Sequence, residues 1–419
     1  MRKLVFLTIS LSLFIHITFL VVSASFSIPR LKHIMFGGDC VCYAQLATSL
    51  IERGTLGFEG KGPSTMRMPG YPLFLAVVYW ITGNWLYVQI VQIFISVIVA
   101  FLTYKTALAV SVKQSTPIIA SLFVVFNPLV VISSVSLLQE TLVICLIVVV
   151  IYLLIKYTDK KWCFGAVFVI LGMATYLKPT ILLVALMLLT ACVIYSYVRF
   201  QSLTRAFMSF LLLGMLLLVI FLPWVIRNFM LYHAFIPLTT SNGVNLYGGN
   251  NPQADGGYVL SDPYVLPGMN EVESDLAYLD RALSWIRSNP TDFLSLLPAK
   301  AAHFFWPLAF GTSETLDVPV WLFGLLMIVV LSFYILVIIG LLYLVRIGKR
   351  WQFSMLIIPL IGLLLQSLIA FGAARFLLPS FTMLAVLGAL GIEKLALNFK
   401  QNGQFLKTQA MKLPFQKYS

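Results

Sequence analysis

Pro69-Gly70-Tyr71-Pro72-Leu73-Phe74-Leu75-Ala76-Val77-Val78-Tyr79-Trp80-Ile81-Thr82-Gly83-Asn84 decides how the chain is threaded. Residues 71–83 are apolar, but 13 residues are too few to cross a bilayer, which takes about 20 in a helix. Longer apolar segments lie around this one, at about 4–26, 86–110, 115–132, 137–157, 162–177, 180–198, 206–226, 318–345, 353–371 and 375–395. Suppose that residues 71–83 lie in the interface and that the N-terminus is cytoplasmic. The cytoplasmic pieces then hold 17 basic residues and 2 acids, net +15, and the outer pieces 11 basic residues and 13 acids, net −2, which gives the chain's +13. The positive-inside rule requires this asymmetry. Counting residues 71–83 as a span would invert every later loop and place the basic ones outside.

Composition agrees with a membrane protein. The chain is 60% hydrophobic and 10% charged, whereas soluble domains carry about 25% charged residues. The net charge reads as orientation and contact with anionic headgroups. It is no nucleic-acid signal, because no basic soluble domain exists to carry one. The expected fold is an all-α polytopic membrane protein with about 10 transmembrane helices (roughly 9–12) and an interfacial helix in the first outer loop. Residues 1–395 form one transmembrane domain, with outer loops at 27–84 and 227–318, and residues 396–419 form a basic cytoplasmic tail. Residues 4–26 exceed the length of a signal-peptide apolar region and read as a retained first helix. No internal repeat of the kind that builds many transporters is visible.

The five cysteines form no disulfide framework. Cys145, Cys163 and Cys192 lie in apolar runs and read as small buried residues. Cys40, Cys42 and His33 match no strong zinc spacing.

Charges are nearly absent from the spans and collect at their ends. At the outer ends stand Glu140, Lys178, Arg227 and Arg375, with Arg67 supplied by the first loop. Any one of these cations reads as a snorkelling or capping residue. Four of them on the side that the positive-inside rule depletes point to an anionic ligand at headgroup level, such as a phosphate. The first loop adds Gly37-Gly38-Asp39-Cys40-Val41-Cys42-Tyr43-Ala44. Asp39 there is either an N-cap or a base. Asp39, Tyr43, Ala47 and Leu50 share one helical face, so a carboxylate and a phenol meet at the membrane surface beside Arg67. Glu140 reads as the partner of a nearby cation. Glu271, Asp275 and the other acids of the second loop read as solvated surface charge. His303, in Lys300-Ala301-Ala302-His303-Phe304-Phe305-Trp306, belongs either to an interfacial aromatic belt or to a substrate site.

Taken together these motifs resemble the GT-C superfamily of integral-membrane glycosyltransferases, in the branch of the protein O-mannosyltransferases, the lipid A aminoarabinose transferase and the lipopolysaccharide-core transferases. The resemblance runs over about residues 1–395. It rests on Gly38-Asp39 with Tyr43 and Ala47, on Arg67-Met68-Pro69-Gly70-Tyr71-Pro72, and on Lys178-Pro179-Thr180. Pro223-Trp224 with Arg227-Asn228, Gly243 with Asn245-Leu246-Tyr247 and Asn250, and Arg375 with Pro379 extend it. It implies transfer of a sugar from a polyprenyl-phosphate donor to a glycan, lipid or protein acceptor on the extracytoplasmic face. Asp39 would be the catalytic base and Arg375 would contact the donor phosphate, with Lys178, Arg227 and Arg67 assisting. Tyr43, Tyr71, Glu140, Asn245, Tyr247, Asn250 and His303 complete the candidate site. Two departures stand out: Asp39 is followed by Cys40 rather than by a second acid, and the Lys-Pro-Pro of relatives reads Arg67-Met68-Pro69. No cofactor is required, since no DxD pattern occurs, although a single divalent metal stays compatible. The absence of a permitted Asn-x-Ser/Thr sequon leans toward a bacterial plasma membrane. The competing readings are a lipid-linked saccharide flippase, which should carry polar groups at mid-membrane depth, and a non-catalytic scaffold of the same fold.

Overall fold

The structure is a computed structural model that describes residues 2–25, 38–60, 62–306 and 320–410. Helices α1 (Arg2–Ser25), α2 (Asp39–Arg53), α3 (Gly70–Thr82), α4 (Trp85–Val110), α5 (Thr116–Val125) and α6 (Pro128–Val135) make up the first third. Then come α7 (Glu140–Lys156), α8 (Cys163–Leu177), α9 (Ile181–Phe200), α10 (Leu203–Tyr232), α11 (Asn242–Gly248), α12 (Glu271–Ser288) and α13 (Pro290–Phe305). Helices α14 (Val320–Arg346), α15 (Arg350–Ile369) and α16 (Ala374–Ala410) follow. Among the described residues the only sheet is a two-stranded antiparallel ribbon, β1 (Gly57–Phe58) with β2 (Gly62–Pro63).

This is a polytopic, all-α integral membrane protein. Among the described residues seven helices are long and apolar enough to cross a membrane, and the pair α5–α6, bent by 55°, makes an eighth if it counts as one broken span. Length alone therefore does not reach the expected ten. The difference lies in α7 and α8, which have 17 and 15 residues. Helix α7 is packed inside the bundle along Val143, Ile147, Val150, Ile151 and Leu154, so protein rather than lipid sets its length.

The break between α5 and α6 follows from sequence. Pro128 has no N–H to give to a continuing helix, and Asn127 caps α6 through its side chain, accepting from the N–H groups of Leu129 and Val130. The orphan carbonyls after α6 are met from α4: Gln89 donates to the Val135 carbonyl (2.5 Å), and Gln92 donates to those of Ser134 (3.2 Å) and Ser136 (2.7 Å). An unsatisfied backbone group in the hydrocarbon would cost several kcal/mol, roughly, so these glutamines make the broken span tenable.

Helix α3 starts and finishes at the same end of the bundle. A Cβ on Gly70 would stand 2.6 Å from the Tyr176 carbonyl oxygen. Trp85, just past its end, lines a groove with Cys40 and Leu137. All three neighbours belong to the end that holds Asp39. Helix α3 therefore does not traverse the bundle, in keeping with the interfacial reading of residues 71–83.

The loops that the charge count places on the cytoplasmic face gather at the other end. Buried Glu393 accepts from the Val112 and Lys113 amides (3.0 and 3.1 Å) and from the Thr116 hydroxyl. Lys349 donates to the Val110 carbonyl at 2.7 Å, and Trp351 donates to the Leu154 carbonyl at 2.7 Å.

Candidate active site

Asp39 is the first residue of α2, and Gly38 before it adopts φ 53°, ψ −121° and offers no side chain to cap the helix. The Asp39 carboxylate does not cap it either. One oxygen accepts from Arg67 Nη2 at 2.8 Å and the other from Arg375 Nη1 at 2.6 Å. Burial would raise the pKa of this carboxyl, but the two guanidiniums outweigh burial and hold it well below the usual carboxylate range. Beside it, burial, together with the charges of Asp39 and Glu140, pushes the Cys40 thiol up to about 12. Cys40 is therefore a neutral, packed thiol.

Two ladders of polar groups fix α2 against its neighbours. The Tyr43 hydroxyl donates to Gln139 Oε1 at 2.6 Å. Its ring meets that of Tyr71 edge to face at 5.0 Å, and the Tyr71 hydroxyl donates to Gln92 Oε1 at 2.8 Å. Gln92 thus serves the broken span and the site together. At the start of α7, Lys178 donates to Glu140 Oε1 at 3.1 Å, with both side chains buried. The Phe376 ring lies 5.0 Å from Lys178 Nζ and 5.6 Å from the Arg375 guanidinium carbon, so one aromatic face serves two cations.

These groups border a cavity of about 490 Å³. Its polar end is formed by Asp39, Arg67, Gln139, Glu140, Lys178, Asn245 and Arg375, and its apolar flank by Leu182, Leu183 and Leu186 of α9 with Ile369, Phe371 and Phe376. Leu186 is 46% exposed on the outer surface of the helices, so the apolar lane runs out toward lipid. Three buried polar atoms on cavity-lining residues, Glu140 Oε2, Thr180 Oγ1 and Gln366 Oε1, have no hydrogen-bond partner among the described residues. Unpaired buried polar atoms are rare in a finished interior.

Of the residues singled out from sequence, Asp39, Tyr43, Arg67, Glu140, Lys178, Asn245 and Arg375 line this cavity. Five others do not. Arg227 turns away: its guanidinium donates to the carbonyls of Ser64 (3.0 Å) and Leu56 (3.2 Å) and lies over Trp224, pinning the β1–β2 segment to the end of α10. Tyr71 is fully buried behind Tyr43. Tyr247 packs on Tyr278 at 5.6 Å. Asn250 is spent on the carbonyls of Leu246, Ile369 and Ala370. His303 sits against Gly257 and Gly372, outside the cavity lining. Because Arg227 serves the loop, Arg227→Ala is expected to cost about 1.5–3 kcal/mol of stability, the range for hydrogen bonds to a charged group, with donor affinity unchanged. Thermal unfolding and lipid-phosphate titration of the same preparation check both halves.

Two acids of the second loop, read from sequence as solvated, are structural. Glu271 accepts from the Ser64 hydroxyl (2.7 Å) and from the Thr65 amide and hydroxyl (2.6 Å each), tying the loops together. Asp275 accepts from the Gly243 amide at 2.7 Å, and burial raises its carboxyl to about 6. Gln139, Thr180, Tyr264, Asn242 and Gln366 line the cavity without having been assigned a role from sequence. Thr180 stands inside the quoted Lys178-Pro179-Thr180, so a signal existed for it. Tyr264 and Gln366 carry none. Among the described residues no cluster of three or more His, Cys, Asp or Glu side chains could hold a metal, and His33 lies outside those residues.

No protein-family model and no curated protein matches the chain. Among solved structures, the apo form of the Archaeoglobus fulgidus oligosaccharyltransferase superposes with a TM-score of 0.50 at 12% identity. The match covers 94% of this chain and 52% of that one, so the chain spans about half the length of this neighbour. At that identity the likeness speaks for the fold alone, a polytopic helical membrane architecture.

Proposed function

We propose that the protein is an inverting glycosyltransferase that moves a hexose or pentose from a polyprenyl-phosphate donor to a hydroxyl of a glycan, lipid or protein acceptor. The observation that carries this reading is the combination of two carboxylates, Asp39 and Glu140, with the cations Arg67, Lys178 and Arg375 in one cavity that has an apolar flank. A prenyl chain fits the lane, and a phosphate fits the cationic mouth. The charge asymmetry of the loops puts that mouth on the extracytoplasmic face.

In a single displacement, Asp39 takes the proton of the acceptor hydroxyl, the acceptor oxygen bonds to the anomeric carbon, and the bond from that carbon to the phosphate oxygen breaks. The departing polyprenyl phosphate gains a negative charge, which Arg375 and Lys178 stabilise from fixed positions. Asp39 clamped by two guanidiniums is ionised but weakly basic. A phosphate that shares the Arg375 guanidinium with Asp39 weakens its hold on the carboxylate and raises basicity as the donor arrives, which suits a base whose pKa should approach the working pH.

The test is titration of the protein in nanodiscs with undecaprenyl phosphate, followed by thermal stabilisation. Wild type is expected to bind, and Arg375→Ala to lose about 10–100-fold in affinity, the worth of a charge-assisted hydrogen bond. Equal binding by folded Arg375→Ala would remove the phosphate from this place.

A further inference from the structure

Arg375 owes its position to a short turn. Helix α15 ends at Ile369, Ala370 departs from helical geometry (φ −89°, ψ −93°), and α16 begins at Ala374. The last carbonyls of a helix have no partners within it, and here they end among buried residues, with Ala370, Phe371, Ala373 and Ala374 all nearly inaccessible. Their partners come from the second loop. Asn250 Nδ2 donates to the carbonyls of Ile369 (3.0 Å) and Ala370 (3.3 Å). Lys300 Nζ donates to those of Leu368 (3.2 Å) and Ile369 (3.5 Å) and to Asn250 Oδ1 (2.7 Å).

Lys300 is fully buried and, among the described residues, has no carboxylate partner. Its charge faces the negative end of the α15 dipole and the ring of Phe293, 5.0 Å away. Three ammonium protons meet three oxygens. Burial brings this lysine down to about 8, so it keeps its third proton at neutral pH. The backbone is equally tight: a Cβ on Gly372 would stand 2.1 Å from the Lys300 carbonyl oxygen, and one on Gly249 would stand 2.0 Å from that of Ala370. The Gly372 amide donates to the Gly256 carbonyl at 2.9 Å. The turn has no freedom that the second loop does not grant.

We infer that Lys300, with Asn250, is the positioning residue for Arg375: it clamps the carbonyl end of α15 and so fixes the turn that presents the guanidinium to Asp39 and to the donor phosphate. The second loop thereby helps to build the phosphate site from outside the cavity. The catalytic half of this inference rests on the transferase reading; the clamp does not.

Two measurements on the full chain in nanodiscs test it. The first needs no substrate. In Lys300→Met, amide hydrogen exchange across residues 370–377 is expected to rise about tenfold or more, while α2 and α7 stay protected, as for a local opening. Lys300→Gln keeps two N–H donors and is expected to fall between Lys300→Met and wild type; it carries the test should Lys300→Met not fold. The second is a double-mutant cycle on transfer. Lys300→Met alone is expected to lower transfer by about 10–100-fold, the scale of an ångström-sized misplacement. Combined with Arg375→Ala it should add little to the loss from Arg375→Ala alone, because both changes act on one group. Unchanged exchange over residues 370–377 in a folded variant overturns the clamp. Losses that multiply in the double mutant show that Lys300 acts elsewhere. If wild type transfers nothing, the exchange result still decides the clamp.

Discussion

Asp39→Asn is expected to lower sugar transfer by about 10²–10⁴-fold, the usual worth of a positioned general base. The amide fills the same space and still accepts a hydrogen bond, but it takes no proton. The substitution also leaves Arg67 and Arg375 facing each other without the carboxylate that joins them at 2.8 and 2.6 Å. A stability signature follows. The folded pKa of Asp39 lies below its unfolded value, so its contribution is complete above about pH 4 and is lost as pH falls through the folded value. Wild type should therefore lose stability on acidification below about pH 4, and Asp39→Asn, less stable at pH 7, should lose less over the same range. Thermal unfolding across pH measures this. Parallel curves for the two proteins would mean that Asp39 is not held by the guanidiniums in solution.

Lys178→Met should produce the largest stability loss of any substitution at the site. It leaves the Glu140 carboxyl buried without the cation that faces it, and breaking one side of a buried pair costs about 3–5 kcal/mol. Adding Glu140→Gln removes the stranded carboxyl and is expected to recover most of the loss. The cycle distinguishes a pair that merely breaks even from one whose halves depend on each other. Glu140 Oε2 has no hydrogen-bond partner among the described residues and lies on a cavity-lining residue, so the pair leaves one acceptor free. A lone Lys178→Met as stable as wild type would show that the pair contributes nothing to stability.

How much of this was legible in the sequence depended on whether the partner could be inferred. That α3 stays at one end of the bundle was legible, because thirteen apolar residues cannot span; the face that the basic loops take is what the positive-inside rule leads one to expect. Asp39, Arg67 and Arg375 are brought together across separations of 28 and 336 residues, yet one rule, cations where the positive-inside rule expects few, collected them. The same rule misplaced Arg227. Its partners are the carbonyls of Leu56 and Ser64, and backbone acceptors leave no trace in side-chain identity. Resemblance made Asn250 and Tyr247 substrate-site candidates, but both lie outside the cavity lining: Tyr247 packs on Tyr278, and Asn250 donates to the Ile369 and Ala370 carbonyls. Glu271 and Asp275 looked like surface charge because their α12 helix is amphipathic, and only the folded loop reveals the amides they accept from. The span count was less legible, since α7 and α8, with 17 and 15 residues, fall short of a spanning length.

The most direct measurement is transfer itself: the purified protein in lipid, a panel of radiolabelled polyprenyl-phosphate sugars and a crude glycolipid and glycan acceptor pool, run for wild type and Asp39→Asn. The expected result is label moved by wild type from one donor of the panel and not by the folded mutant. Transfer that survives Asp39→Asn undiminished, or a folded wild type that moves sugar from none of the donors, would contradict the assignment of this cavity as a polyprenyl-phosphate glycosyltransferase site.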